Sequence, residues 1–218
     1  MSEHLIYDVT DRSSQEYSLH IDKAVAAARE GRLIVLPTDT VYGLAADAFN
    51  ADAVGALLAA KERGRDYPVP VLIGNPGVLA GLVVEVPLDA QRLADAFWPG
   101  ALTIIVAHAP SLAWDLGQSG GSVAIRMPNH PVALEVLRRT GPLGVSSANK
   151  HGEPPAATAA AAAAQLGDCV DVFLEAGETT NSVPSTIVDC TGARPVIVRE
   201  GALTLSDIAA VVPTVQVR

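Results

Sequence analysis

The stretch that most constrains this chain is Leu33–Ala48, LIVLPTDTVYGLAADA. Leu33, Ile34, Val35 and Leu36 form a short unbroken apolar run, the mark of a strand buried on both faces. Pro37 has no amide proton and breaks the ladder. Thr38, Asp39, Thr40 and Tyr42 then crowd four polar side chains into five positions, and Gly43 closes the elbow before the chain runs out again. A doubly buried strand that delivers hydroxyls and a carboxylate at its C-terminal end is where α/β proteins place ligands. The competing reading is an Asx/ST turn whose polar groups satisfy only their own backbone. Taken alone, the segment favours neither.

On either side of this stretch, strand and helix periods alternate. Helical spacing predicts 20–30 (Ile21, Ala24, Val25 and Ala28, with Gly31 as stop) and Ala53–Arg63, capped by Asn50 or Asp52 and stopped by Gly64. Further helices are expected from Asn75–Pro76, over Leu88–Phe97 with Leu93, Ala96 and Phe97 inward, over Pro131–Arg139, over the alanine-rich 156–164 and over Ser206–Val211. Apolar runs predict strands at Val69–Ile73, Leu102–Val106, Val123–Ile125, Leu143–Val145, Val170–Leu174, Thr186–Val188 and Val196–Val198, with Gly117–Gly121 a loop or hairpin tip. Pro70 marks Val69–Ile73 as an edge or a bulge. Such alternation predicts an α/β fold on a mixed sheet. With no linker in view, the expectation is one domain over residues 1–218.

Composition removes several classes of function. Charged residues interrupt every apolar stretch before the ~18 residues of a membrane span. The acidic, polar start MSEHLIYDVTDRSS is no signal peptide, and Cys169 and Cys190 lack the CxxC spacing of a redox or zinc site. A cytoplasmic protein is expected. A net charge of −9 argues against unaided gripping of a nucleic-acid backbone. The basic residues that do cluster, Lys61, Arg63 and Arg65, suit a small anion such as a nucleotide phosphate. The plainer reading of Lys61 and Arg63 is that they complement the dipole at a helix C-terminus.

One chemical pattern repeats: an apolar strand followed by polar groups, as PTDTVYG, AIRMPNHP, VSSANKHGEPP, PSTIVD and VIVREG. Convergence of those strand ends would make one cleft. Neither GxGxxG nor GxxxxGK[ST] occurs, so no Rossmann fingerprint or P-loop is read. Ser147 has no evident His partner for a hydrolase triad. Asp39 and Asp47 are candidate paired carboxylates, although Asp47 in its alanine-rich setting reads as solvated or capping.

Six segments occur in an order that resembles the YrdC/Sua5 family: Pro37–Leu44, Lys61–Arg63, Phe97–Thr103, Val123–Pro128, Ser146–Asn149 and Pro184–Asp189. The resemblance covers about residue 15 to about residue 210. It implies an open twisted sheet with flanking helices around a deep cleft. It also implies that L-threonine, bicarbonate and ATP, with Mg²⁺, are joined into threonylcarbamoyl-adenylate and pyrophosphate, for N6-threonylcarbamoylation of adenosine 37 in tRNA. Carried over residue by residue, threonine contacts fall on Thr38, Arg126 and Ser185. ATP contacts fall on Lys61, Arg63, Ser122, Ser147, Ala148, Asn149 and Arg199, with Lys61, Arg63, Ser147 and Asn149 as the catalytic set. Arg126 suits a carboxylate because its fork is bidentate. Lys61 and Arg63 at i, i+2 do not share a helix face, so they must act where the helix ends. No covalent intermediate is implied; catalysis would be positioning and charge neutralisation. Leu72 stands where some family members have His, and the second domain of longer members is not expected. Hand-off to a threonylcarbamoyl transferase complex is implied, with direct tRNA binding weak and no membrane contact. The alternatives are a carbamoyl-adenylate-forming relative and a non-catalytic RNA-binding module of the same fold.

Overall fold

A computed structural model describes residues 5–179 and 183–218. In chain order its elements are β1 (Ile6–Asp8), α1 (Gln15–Arg29), β2 (Ile34–Leu36), β3 (Gly43–Asp47), α2 (Ala51–Ala60) and β4 (Val71–Leu72). A 3₁₀ turn at Pro76–Val78 leads to α3 (Leu79–Leu82), α4 (Leu88–Phe97), β5 (Leu102–Ala107), β6 (Ser122–Arg126), α5 (Pro131–Thr140) and β7 (Leu143–Ser147). Then come α6 (Ala159–Leu166), β8 (Val172–Glu175), β9 (Thr186–Asp189), β10 (Val196–Arg199), α7 (Leu205–Val211) and β11 (Gln216–Val217).

The strands form one mixed sheet in the order β1-β8-β2-β3-β7-β4-β6-β5-β9-β10-β11. Helices cover both faces, as the doubly buried β2 requires. Ile34 and Leu36 point into a core shared with Ile21 and Val25 of α1 and Val132 and Val136 of α5. Val35 points the other way, into the core holding Leu57 of α2, Leu93 of α4 and Ala162 of α6. Full burial of such side chains contributes about 1.5–3 kcal/mol each. Among the described residues, no helix is long and apolar enough to cross a membrane.

Strand direction decides where the polar strand ends go. β2, β7, β5 and β9 run one way; β3, β4, β6 and β10 run the other. On a flat sheet, Ser147 at the end of β7 and Arg126 at the end of β6 would leave by opposite edges. They nonetheless line one cavity, on either side of the two-residue β4, which is antiparallel to β7 and parallel to β6. The expected strand Val69–Ile73 shortens to β4 because Pro70 has no donor. Nor is it an edge: β4 lies between β7 and β6, Pro70 O accepts from Val145 N–H of β7, Ile73 N–H bonds Arg126 O of β6, and Val69 N–H bonds Leu116 O.

Several boundaries differ from the periodic reading. Helix α1 begins at Gln15 because Ser14 Oγ accepts from Tyr17 N–H, and Tyr17 extends the buried stripe one turn back. Helix α2 stops at Ala60, not Arg63, and Gly64 is not its stop signal. Glu62 takes a left-handed φ of 52°, while Glu62 N–H bonds Ala59 O and Arg63 N–H bonds Leu58 O. This is a Schellman cap with a glutamate where glycine is usual. In α4 the buried residues are Ala90, Leu93 and Ala94, Phe97 packs half-buried against the same core, and Ala96 is exposed. The expected 156–164 helix starts at Ala159, where Thr158 Oγ1 accepts from Ala161 N–H.

Candidate active site

Strand ends and loops from both sides of β4 line a cavity of about 500 Å³. Its wall begins at the elbow between β2 and β3. Thr38 Oγ1 donates to Val41 O at 2.6 Å and accepts from the N–H groups of Thr40 and Val41 at 3.2 and 3.3 Å. This is the self-satisfying ST turn, and Thr38 nonetheless lines the cavity. The ST turn is thus present, and it forms part of the cavity wall. Tyr42 beneath it is fully buried. Its hydroxyl lies 2.9 Å from Glu175 Oε1 and 2.7 Å from Gly177 O and accepts from Ala176 N–H, and burial pushes its pKa well up. Gly43 follows because a Cβ there would lie 2.6 Å from Val145 Cγ1, on the strand beside it.

Arg126 closes the opposite side. Its side chain is 8% exposed, and Nη2 donates to Asp39 Oδ1 at 2.6 Å. Nη1 donates to Thr40 Oγ1 at 2.8 Å and Nε to Gly100 O at 2.9 Å. Burial draws its pKa down, opposed by Asp39. Three of its five N–H groups are engaged, which leaves one on each terminal nitrogen. Ser185, just before β9, shares a 2.8 Å bond with Thr103 Oγ1, and Arg199 from β10 donates to Ser185 O at 2.7 Å. Arg63 reaches the cavity from beyond α2. Nη1 donates to Ser146 Oγ at 3.2 Å, Nε donates to His151 Nδ1 at 3.2 Å, and its guanidinium lies 5.5 Å from the Tyr67 ring centroid.

Lys61 takes another place. It is fully buried, and the cavity lining does not include it. Its ammonium donates to Ser147 O at 2.5 Å, to Asn149 Oδ1 at 3.0 Å and to Asn149 O. All three of its N–H directions are thereby accounted for. Asn149 Nδ2 in turn donates to Lys150 O and Glu153 O, pinning the chain after β7. Burial, with Arg63 nearby, pushes the lysine pKa down to about 7.

Of the residues singled out in sequence, Thr38, Arg63, Arg126, Ser147, Ser185 and Arg199 line the cavity together. Lys61, Ala148 and Asn149 are buried outside the lining; the lysine and Asn149 are bonded to one another, and Ala148 N–H bonds Tyr42 O. Ser122 is also outside the lining. It opens β6 at the end opposite Arg126, and its hydroxyl donates to Ser119 O. The lining also includes Thr40, named in sequence only among the elbow's polar groups, and Thr103 and Ser146, which sequence reasoning gave no role. For Ser146 the signal was its place in the SSAN run that ends β7. Thr103 sits inside an apolar strand and gave none. Asp47 forms an Asx turn, accepting from Phe49 N–H, while the cap of α2 is Asn50. The lining carries three guanidiniums against one carboxylate, Asp66. Among the described residues, no three His, Cys, Asp or Glu side chains form a metal-holding group.

The Sua5/YciO/YrdC family model, described as telomere recombination, matches residues 26–201. A Mycobacterium tuberculosis protein provisionally named threonylcarbamoyl-AMP synthase is 53% identical over 197 residues, covering 90% of this chain and 91% of that one. The threonylcarbamoyl-AMP synthase of Bacillus subtilis is 38% identical over 212 residues, 96% of this chain and 61% of that protein. The crystal structure of Pyrococcus abyssi Sua5 complexed with L-threonine superposes with a TM-score of 0.91 at 33% identity, covering 98% of this chain and 62% of that one. The chain thus spans about three fifths of the length of the latter two.

Proposed function

The chain belongs to the Sua5/YciO/YrdC family, and on that premise we propose that it is a threonylcarbamoyl-AMP synthase supplying the threonylcarbamoyl group for tRNA modification. The observation that carries this reading is the cavity itself, where Arg63, Arg126 and Arg199 converge on a space large enough for a nucleotide and an amino acid. Three anions must meet: a threonine carboxylate, bicarbonate and a triphosphate. At ~4 Å and an effective dielectric of ~20, each guanidinium–anion pair is worth roughly 4 kcal/mol, enough to offset their mutual repulsion.

Roles follow from the free donors. Arg126 presents its two remaining N–H groups to the threonine carboxylate, while Asp39, Thr40 and Gly100 hold its plane still. The threonine amine attacks the bicarbonate carbon, water leaves, and the resulting carbamate oxygen attacks the α-phosphorus as pyrophosphate departs. Arg63 and Arg199 neutralise the charge that accumulates on the phosphate oxygens. Ser147 orients the carbamate. Lys61 and Asn149 act through Ser147, fixing the strand end that carries it, and so are positioning residues in this proposal. Ser122 is given no role. The donor set does not fit a resident metal cage; Mg²⁺ would arrive on the phosphates of ATP as part of the substrate. The product passes to a transferase that acts on tRNA, and a chain of net charge −9 is not proposed to grip that tRNA alone.

The test is incubation with ATP, bicarbonate and threonine while pyrophosphate release is followed. Release should require threonine and bicarbonate together; release that proceeds equally without threonine eliminates the synthase reading.

A further inference from the structure

Among its described lining residues the cavity has one aromatic ring, Tyr67, in the loop between α2 and β4. An exposed tyrosine is ordinary surface when nothing holds it. This ring is 47% exposed, yet it is held in place. Tyr67 N–H bonds Gly64 O, the Arg63 guanidinium lies 5.5 Å from the ring centroid, and the His151 ring stands edge-on to it at 5.8 Å and 67°. Arg63 Nε in turn donates to His151 Nδ1 at 3.2 Å. Two groups this close to each other cannot cover opposite faces of one ring, so both approach Tyr67 from the same side. The opposite face is covered by neither. The Tyr67 hydroxyl makes no hydrogen bond among the described residues, so no polar contact of its own accounts for the ring's place at the cavity.

A fixed ring with a free face, bordered by a guanidinium, suits a flat π system that carries negative charge close by. Neither threonine nor bicarbonate has an aromatic face. Of the three substrates only ATP has one, and stacking on an aromatic side chain is open to any nucleobase. Pro68 and Pro155, which also line the cavity, add apolar wall without side-chain donors or acceptors. The guanidinium beside the ring is the one assigned to the phosphates, so a base on Tyr67 and phosphates on Arg63 can belong to one nucleotide.

We propose that the free face of Tyr67 stacks on the adenine of ATP. Tyr67 is then a substrate-binding residue lying outside the six segments that carry the family resemblance. The proposal rests on the reading of this cavity as an ATP site and adds to it the residue that takes the base. The rival role for the ring is to steady Arg63 alone, through the cation–π contact, and the two roles differ in what a phosphate chain without a base should feel.

The experiment is calorimetric titration of the full chain with ATP and, separately, with inorganic tripolyphosphate, both in MgCl₂, for the parent, Tyr67→Ala and Tyr67→Phe. Tyr67→Ala should weaken ATP about tenfold and leave tripolyphosphate unchanged, while Tyr67→Phe should match the parent for both. In pyrophosphate release, Tyr67→Ala should raise the KM for ATP and hold kcat, the pattern of lost uniform binding. Equal weakening of ATP and tripolyphosphate would assign the ring to Arg63 and overturn the proposal. So would ATP affinity untouched by Tyr67→Ala, or lost as far in Tyr67→Phe as in Tyr67→Ala. A parent that binds neither ligand would instead overturn the ATP-site reading, and the stacking proposal with it.

Discussion

Lys61 and Asn149 are bonded twice, the ammonium donating both to the main-chain oxygen and to Oδ1 of the same asparagine. A residue that sequence alone reads as a phosphate ligand or a helix-dipole complement is, in the folded chain, a buried peg under the end of β7.

Lys61→Met should therefore cost stability as well as activity. The substitution removes three bonds and leaves the oxygens of Ser147 and Asn149 buried without donors, at about 1–3 kcal/mol for each group left unmade. Relief of the lysine's own desolvation offsets part of this. Thermal denaturation should show a lower melting point, with adenylate formation reduced at least about tenfold, the effect of a ~1.4 kcal/mol rise in barrier. A variant that melts like the parent would show that the peg carries no load.

The same lysine sets a pH dependence. Its folded pKa, near 7, lies below the ordinary lysine value of 10.5. Between those values the unfolded chain binds the proton and the folded chain does not, so stability rises with pH across that window. Below pH 7 the burial penalty is fully present. Relative to Lys61→Met, the parent should gain up to about 1.4 kcal/mol per pH unit above 7, measured by urea denaturation at stepped pH. Parallel stability curves for the two proteins would contradict this.

For Arg126, charge and geometry can be separated. Arg126→Lys keeps the charge, but one ammonium cannot span Gly100 O, Thr40 Oγ1 and Asp39 Oδ1 together. Threonine affinity should fall about tenfold or more while ATP affinity holds, as judged by calorimetry. Arg126→Ala leaves Asp39 uncompensated and should lower stability by about 3–5 kcal/mol if the site behaves as a buried pair.

Tyr42→Phe probes the layer below the elbow. Its hydroxyl is bonded to Glu175, Gly177 and Ala176, yet its side chain stays out of the cavity lining. Stability should drop by about 1–3 kcal/mol, with turnover at saturating substrate close to that of the parent. A large loss of turnover without a loss of stability would place Tyr42 in the chemistry.

Serine in place of threonine should lower kcat/KM for pyrophosphate release by about 10–200-fold, the reach of one methyl group in a fitted pocket. Equal use of both amino acids would mean that the pocket does not enclose the side chain.

What the sequence makes legible here is whatever depends on local period and local chemistry. Leu33–Leu36 reads as doubly buried because an unbroken apolar run permits little else, and its side chains do divide between two cores. The polar strand ends were likewise visible. What stayed hidden depended on tertiary context. Gly64 is the evident stop signal in KERGR, but Glu62 takes the left-handed position, and that choice sends Lys61 inward while Arg63 faces the cavity. Ser122 and Arg126 flank the expected strand Val123–Ile125, so their opposite ends were legible; what the sequence did not show is which end the cavity takes. β11, in what reads as a polar tail, forms only because β10 offers an edge.

The place of β4, in the middle of the cavity's contributing strands, has a thermodynamic consequence. Thr38 and Ser147 come from or beside strands on one side of β4, Arg126, Ser185 and Arg199 from or beside strands on the other, and the cavity is lined by both sets. Ligand capture and global folding thus become a single linked equilibrium. Every ligand of the cavity should protect slow-exchanging amides on both sides of β4 to the same degree.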